Sequence, residues 1–402
     1  MTSDIGLQAQ CAALSRELLR ARAAISGLKV QPTLRDRVSA RFDTELNRLQ
    51  KRIENLQAAS ARSGQPAAAS WRDLRVLQAD AARLFEEVLA FVQGALVREQ
   101  NLDDGVCALT DALLDDLAAA SDVPWGRFTL LASSEFFRDA AEIIRIRFPD
   151  PSIWNMPFAA HEFGHFVGPQ LCTKKDGEFT YPFQERLKAA DQSRGSLRHA
   201  MEWDHEQESF ADLYATYTLG PAYAAAFILL RMNAGDAHVE AATHPTAAKR
   251  VHAIFWTLER MSESATGLRR QPFREVTSLL QVAWQASLAA AGQVKALEAA
   301  GVARVEQRSG ELYELLTSCT PQGLLFGQDE WLRAESMLPA LRVDLGAVEP
   351  EADALPAAAT RREVLNAAWL ARLGADDASP FVSNVIGHRA LSMYRRVAVR
   401  NH

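Results

Sequence analysis

Cysteine is scarce. The 402 residues include four, Cys11, Cys107, Cys172 and Cys319, far apart and with no CxxC pair. That spacing suits neither a disulfide framework nor a cysteine-built zinc site, and it fits a reducing compartment. Basic blocks are missing as well: 44 Lys and Arg face 50 Asp and Glu, giving a formal net charge of −6. With no local Lys/Arg cluster to attract a phosphate backbone, nucleic acid is not an expected partner. Met1-Thr2-Ser3-Asp4 opens the chain without a basic segment leading into an apolar one. No secretion signal is read there, and a cytoplasmic location is expected. Long hydrophobic runs are nearly absent. Leu213 to Met232 is uncharged up to Arg231, but Gly220-Pro221 interrupts it, which marks buried helices rather than a membrane span.

The chain is rich in ordinary globular material, with 48% hydrophobic and 23% charged residues. Its length suggests two or three packed units. Arginine greatly outnumbers lysine and alanine is abundant, a bias associated with GC-rich bacterial genomes.

Helical periodicity dominates. Val38, Phe42, Leu46, Leu49, Ile53 and Leu56 recur three and four apart, so Leu14 to Leu56 reads as an amphipathic helix pair broken near Gln31-Pro32. Its second member is long enough either to pack on its own domain or to seam against a helical partner or a second copy. Ser63-Gly64-Gln65-Pro66 reads as a linker. Trp71 to Ala120 predicts two more helices. Phe128 to Leu131 is the best strand candidate; Ile144 to Phe148 alternates with period two, yet follows helix-forming Arg138 to Glu142 and is read as a helix ending at Pro149. Helices return beyond Thr246 to about Ala300, then near Leu312–Leu316, Trp331–Leu338 and Val364–Leu373, with a loop over 346–360. No internal repeat is evident. The expected division is 1–62 as N-terminal helices, 71–260 as the core, and 261–402 as a C-terminal helical region.

The chemistry gathers between residues 160 and 250. Ala160-His161-Glu162-Phe163-Gly164-His165 contains HExxH, which puts two imidazoles one helical turn apart on one face, where both reach a single ion. Glu162 projects beside that ion, placed to take a proton from water. A hydrolytic zinc site needs a third protein ligand and one open position. The metzincin extension HExxHxxGxxH finds its glycine in Gly168 but has Leu171 where the third histidine belongs. Glu208-Ser209-Phe210-Ala211-Asp212 supplies the alternative, ExxxD, with Glu208 as third ligand. Asp212 lies on the same helix face, placed to accept a hydrogen bond from the outer nitrogen of a ligating histidine. Glu206 and His205 remain alternatives to Glu208. Tyr214 and Tyr217 are either oxyanion donors or packing aromatics; His199 and His238 are read as surface residues.

HEFGH, ESFAD and the later His244-Pro245-Thr246 with Arg250 together resemble the gluzincin peptidases, nearest the branch of heat-shock and CAAX-prenyl endopeptidases. The resemblance spans about Trp154 to His252 and departs from that branch in lacking clear membrane helices. It implies a mainly α, zincin-like catalytic core, built of an active-site helix and a glutamate helix with at most a small sheet, embedded in helical N- and C-terminal regions. It also implies a Zn2+ cofactor, a protein or peptide substrate, and supporting roles for His244 and Arg250 near the reacting atoms. Competing readings are a helical scaffold or sensor with a structural or vestigial zinc site, and a narrowly targeted peptidase that needs a partner.

Overall fold

The computed structural model describes residues 5–30, 32–61, 67–126, 128–132, 143–147, 152–175, 178–192, 197–263, 272–320, 323–342, 355–375 and 379–400. The fold is mainly α. Its helices are α1 (Ile5–Ser26), α2 (Pro32–Ala61), α3 (Ala67–Glu99), α4 (Val106–Ser121), α5 (Pro157–Val167), α6 (Pro182–Gln192), α7 (Leu197–Leu219), α8 (Pro221–Leu230), α9 (Ala247–Glu263), α10 (Arg274–Ala290), α11 (Ala299–Cys319), α12 (Gln328–Ser336), α13 (Leu338–Leu341), α14 (Arg361–Leu373) and α15 (Pro380–Arg400). The strands are short: β1 (Phe128–Ala132), β2 (Ile143–Arg147), β3 (Thr173–Lys175) and β4 (Glu178–Thr180).

Two compact units form, Met1–Gly105 with Leu130–Ser134, and Val106–Thr129 with Glu135–His402. This differs from the three-part division expected from the sequence, because α3 joins the N-terminal helices and the segment from 261 onward shares a unit with HExxH. In the first unit α1, α2 and α3 pack on one another. The α2 stripe of Val38, Phe42, Leu46, Leu49, Ile53 and Leu56 is buried there, with Phe42 edge-on to Phe91 of α3 at 5.1 Å. That stripe is therefore covered by the chain's own helices rather than offered to a second one.

β2 is a correction: Ile143–Arg147 is a strand, not the end of a helix. The alternating β-branched residues prevail over the helix formers before them; residues 138–142, on which the helix reading leaned, lie outside the described ones, as do the 63–66 linker and most of the 346–360 loop. β3 and β4 pair antiparallel, Thr173 opposite Thr180, a hairpin the sequence did not announce.

In the second unit α7 is the spine, touching α5, α6, α8, α9, α11 and α14. The apolar stretch 213–232 is the buried end of α7 and the whole of α8, with no side chain exposed from Leu213 to Ile228. Among the described residues no helix is long and apolar enough to cross a membrane. The break between α7 and α8 is set by Gly220, at φ 57°, followed by Pro221 at the start of α8. A side chain at Gly220 would collide with the Phe326 ring, at 2.5 Å.

Polar groups freed by that break are taken up by α14. Asn366 Nδ2 donates to the Leu219 carbonyl (2.8 Å), and its Oδ1 accepts from the Ala222 N–H (2.9 Å). Both backbone groups are buried, so leaving them unpaired is costly. Asn366→Ala is expected to lower stability by about 2–3 kcal/mol, read as a lower urea midpoint with helix content retained.

Candidate metal centre

α5 begins at Pro157 and is apolar nearly all round, so it sits inside the unit rather than on its surface. It lies against α7 at a very short separation. A Cβ on Gly164 would fall 2.9 Å from the Ala211 Cα and 3.3 Å from the Tyr214 Cβ, which makes glycine a requirement of this contact. The consequence is that His161 and His165, on α5, face Glu208 on α7 directly.

His161 Nε2 is 3.4 Å from Glu208 Oε2, and His165 Nε2 is 3.5 Å from Glu208 Oε1. One ligand atom from each of the three residues lies within 4.8 Å of the others. Donors bonded to a tetrahedral zinc at about 2.0–2.1 Å stand about 3.3 Å apart, so the spacing fits one ion. Among the described residues no hydrogen bond reaches the buried Glu208 Oε2, with Arg250 Nη2 at 3.2 Å and His161 Nε2 at 3.4 Å, and a cation would satisfy it. The donor set, two imidazoles and one carboxylate, leaves a fourth position for water.

Behind these ligands is a buried charge cluster. Arg250 of α9 donates through Nε to Asp212 Oδ2 (2.7 Å) and through Nη2 to Oδ1 (2.8 Å). Its guanidinium also covers the Phe227 ring at 4.5 Å. Asp212 Oδ1 is 3.0 Å from His161 Nδ1, the nitrogen turned away from Glu208. Tyr223 of α8 donates to the same Oδ1 at 2.6 Å and lies 3.1 Å from His161 Nδ1.

The protonation equilibria follow from this packing. Burial disfavours charge on His161, but the Asp212 and Glu208 carboxylates outweigh it and lift its pKa to about 10. Burial works against the Glu208 carboxylate too, yet the facing imidazoles and Arg250 hold it well below the usual range. Asp212, raised by burial, is brought down to about 2 by Arg250 and His161. Burial and Asp212 push the Tyr223 phenol well above its ordinary value, so it keeps its proton. The carboxylates thus favour positive charge on the His161 imidazole, a charge that a bound divalent cation would supply in place of its proton.

The triad opens on a cavity of about 870 Å³ lined by Glu162, His244 and Arg250 and by the aromatic side chains of Phe158, Phe166, Trp203 and Phe227. His244 is half-exposed at its rim, with Nε2 3.3 Å from Glu208 Oε1 and Nδ1 2.7 Å from Thr243 Oγ1. The residues singled out in the sequence, His161, Glu162, His165, Glu208, Asp212, His244 and Arg250, therefore share one place. The alternative ligands do not: buried His205 donates through Nε2 to the Ala241 carbonyl (3.0 Å), and Glu206 is bound by Arg186 and, at 3.0 Å, Arg308. Leu171, at the metzincin ligand position, is buried.

Tyr214 bonds Ser121 Oγ at 2.8 Å and Tyr217 packs edge-on to Tyr313; neither lines the cavity, so both are packing aromatics. His238, expected at the surface, is half-buried, its Nε2 enclosed with no hydrogen bond among the described residues. The His199 side chain lies outside the described ones. Tyr223 and Phe227 escaped sequence reasoning because both sit in an apolar run that carried no polar signal. Compared with protein-family models, curated proteins and solved structures, the chain matches none.

Gly164→Ala tests the geometry. Its Cβ meets backbone that cannot rotate away, so α5 must move off α7 and carry His165 from Glu208. Uptake of a divalent probe ion at the triad is expected to fall roughly 10–100-fold with helix content kept, measured by chelator competition and circular dichroism.

Proposed function

We propose that this chain is a zinc-dependent peptidase that hydrolyses peptide bonds with Glu162 as general base. The observation that carries the reading is the convergence of His161, His165 and Glu208, with one ligand atom of each within 4.8 Å of the others, beside a cavity that Glu162 also lines. A zinc ion held by those three residues would supply Lewis acidity, polarising a carbonyl and lowering the pKa of water.

The chain's own residues account for the remaining steps. Glu162, on the cavity wall one residue from the first ligand, takes a proton from water and passes it to the leaving amine. His244, at the rim, is placed to donate to charge developing on the scissile carbonyl oxygen. Arg250 is committed to Asp212 and keeps the ligand cluster fixed from behind. The aromatic walls accept an apolar peptide side chain and limit water. Two histidines and one carboxylate also hold iron in oxygenases; a carboxylate base beside the triad favours hydrolysis. All four cysteines are free, which suits a cytoplasmic location.

Glu162→Gln is expected to retain stoichiometric zinc while cleavage falls about a hundredfold to ten-thousandfold. New protein termini in cells expressing the native chain, missing with Glu162→Gln, would identify substrates; undiminished cleavage by the variant would refute the assigned base. His161→Ala is expected to lose zinc and cleavage together, seen by elemental analysis after dialysis, since two ligands make a poor site. A native protein that purifies without zinc and takes up none would favour the scaffold reading instead.

A further inference from the structure

We infer that Tyr223 is a positioning residue for His161, its hydroxyl fixing the imidazole in the tautomer that turns Nε2 toward a metal; the inference rests on the zinc reading above. Tyr223 stands in the first turn of α8, fully buried, brought there by the Gly220-Pro221 break. Its ring lies nearly parallel to that of His161, 6.2 Å between centroids and 6° between planes.

The hydroxyl has one proton and two neighbours. Asp212 Oδ1, at 2.6 Å, belongs to an ionised carboxylate that can only accept, and the shorter, charge-assisted bond takes the proton. The lone pairs of the Tyr223 oxygen are then left to face His161 Nδ1 at 3.1 Å. Asp212 Oδ1, 3.0 Å from the same nitrogen, is an acceptor too. Both groups facing Nδ1 accept, so Nδ1 carries hydrogen, and the lone pair of the neutral ring falls on Nε2, the atom 3.4 Å from Glu208. With the phenol proton turned to Nδ1 instead, Nε2 would hold the ring hydrogen and could not ligate. Arg250, donating to both Asp212 oxygens, fixes the carboxylate that decides which way the phenol points. Asp212 alone would leave Nδ1 one acceptor; Tyr223 adds a second and closes that edge of the ring to water.

The test compares Tyr223→Phe with Tyr214→Phe. The second removes an equally buried hydroxyl that bonds Ser121 and does not line the cavity. Zinc affinity is measured by competition with a chromophoric chelator, and the His161 Nδ1–H resonance is followed in zinc-loaded, histidine-labelled protein. The expected result is a 10–100-fold loss of zinc affinity and a shifted, faster-exchanging Nδ1–H signal for Tyr223→Phe, with the helix content of the metal-free protein kept. Tyr214→Phe should match the native chain in both readouts. Equal affinity and an unmoved signal in Tyr223→Phe would overturn this inference alone, whereas a native chain that binds no zinc would overturn the metal reading and this inference with it. Should Tyr223→Phe not fold, fluorotyrosine at 223 retains the hydroxyl and alters its donor strength. A shifted Nδ1–H resonance then supports the contact and an unchanged one overturns it.

Discussion

A carboxylate enclosed in a protein interior must be matched by donors or it will not stay ionised, and the second unit is organised around one such group, Asp212. Its partners come from three other helices: His161 from α5, Tyr223 from α8 and Arg250 from α9. Arg250 and Asp212 are both buried and paired through two parallel hydrogen bonds, the geometry in which a buried ion pair recovers most of its desolvation cost. Removing one partner strands the other charge, at about 3–5 kcal/mol. An apolar substitute for the pair could be as stable, so its value lies in direction. Four helices are held at one point, and one edge of an imidazole is aimed.

Charge balance explains why the neighbouring Glu208 then calls for a cation. Asp212 and Arg250 cancel, and the enclosed Glu208 carboxylate is balanced by positive charge on the facing His161 imidazole, with no hydrogen bond to its Oε2 among the described residues. Arg250 Nη2 approaches it at 3.2 Å but already serves Asp212. Two neutral imidazoles and one carboxylate would leave one net positive charge on a divalent ion held among them. The same arrangement without Asp212 would orient nothing, and without Glu208 would have no charge to answer.

How much of this was legible in the sequence depended on the range over which each relation operates. HExxH and ExxxD are i, i+4 spacings, fixed by helix geometry alone, so His161, His165, Glu208 and Asp212 could be grouped before any fold was known. His205 and Glu208 also share a helix face, and periodicity could not separate them; the Ala241 carbonyl, thirty-six residues away, engages the histidine. The helix pair α1–α2 and strand β1 were readable from local pattern. β2 was misjudged because helix-forming neighbours and β-branched alternation conflicted within ten residues. The units were not readable, since what binds the C-terminal helices to the site unit is contact such as Arg361 with Asp116, 245 residues apart.

Tyr223 shows why an apolar run deserves a second reading. Taken as composition, Leu213 to Met232 is a buried segment and nothing more. The left-handed Gly220 and the fixed φ of Pro221 reset the helix direction, and the residue two beyond the proline comes back over the ligand face of α7. A continuous helix would turn position 223 by three residues, close to a full turn past Gly220, along the α7 axis and away from Asp212. The break therefore acts as a device for returning a phenol to a carboxylate eleven residues earlier, and the apolar residues around it supply the dry surroundings in which that single proton has one partner to choose.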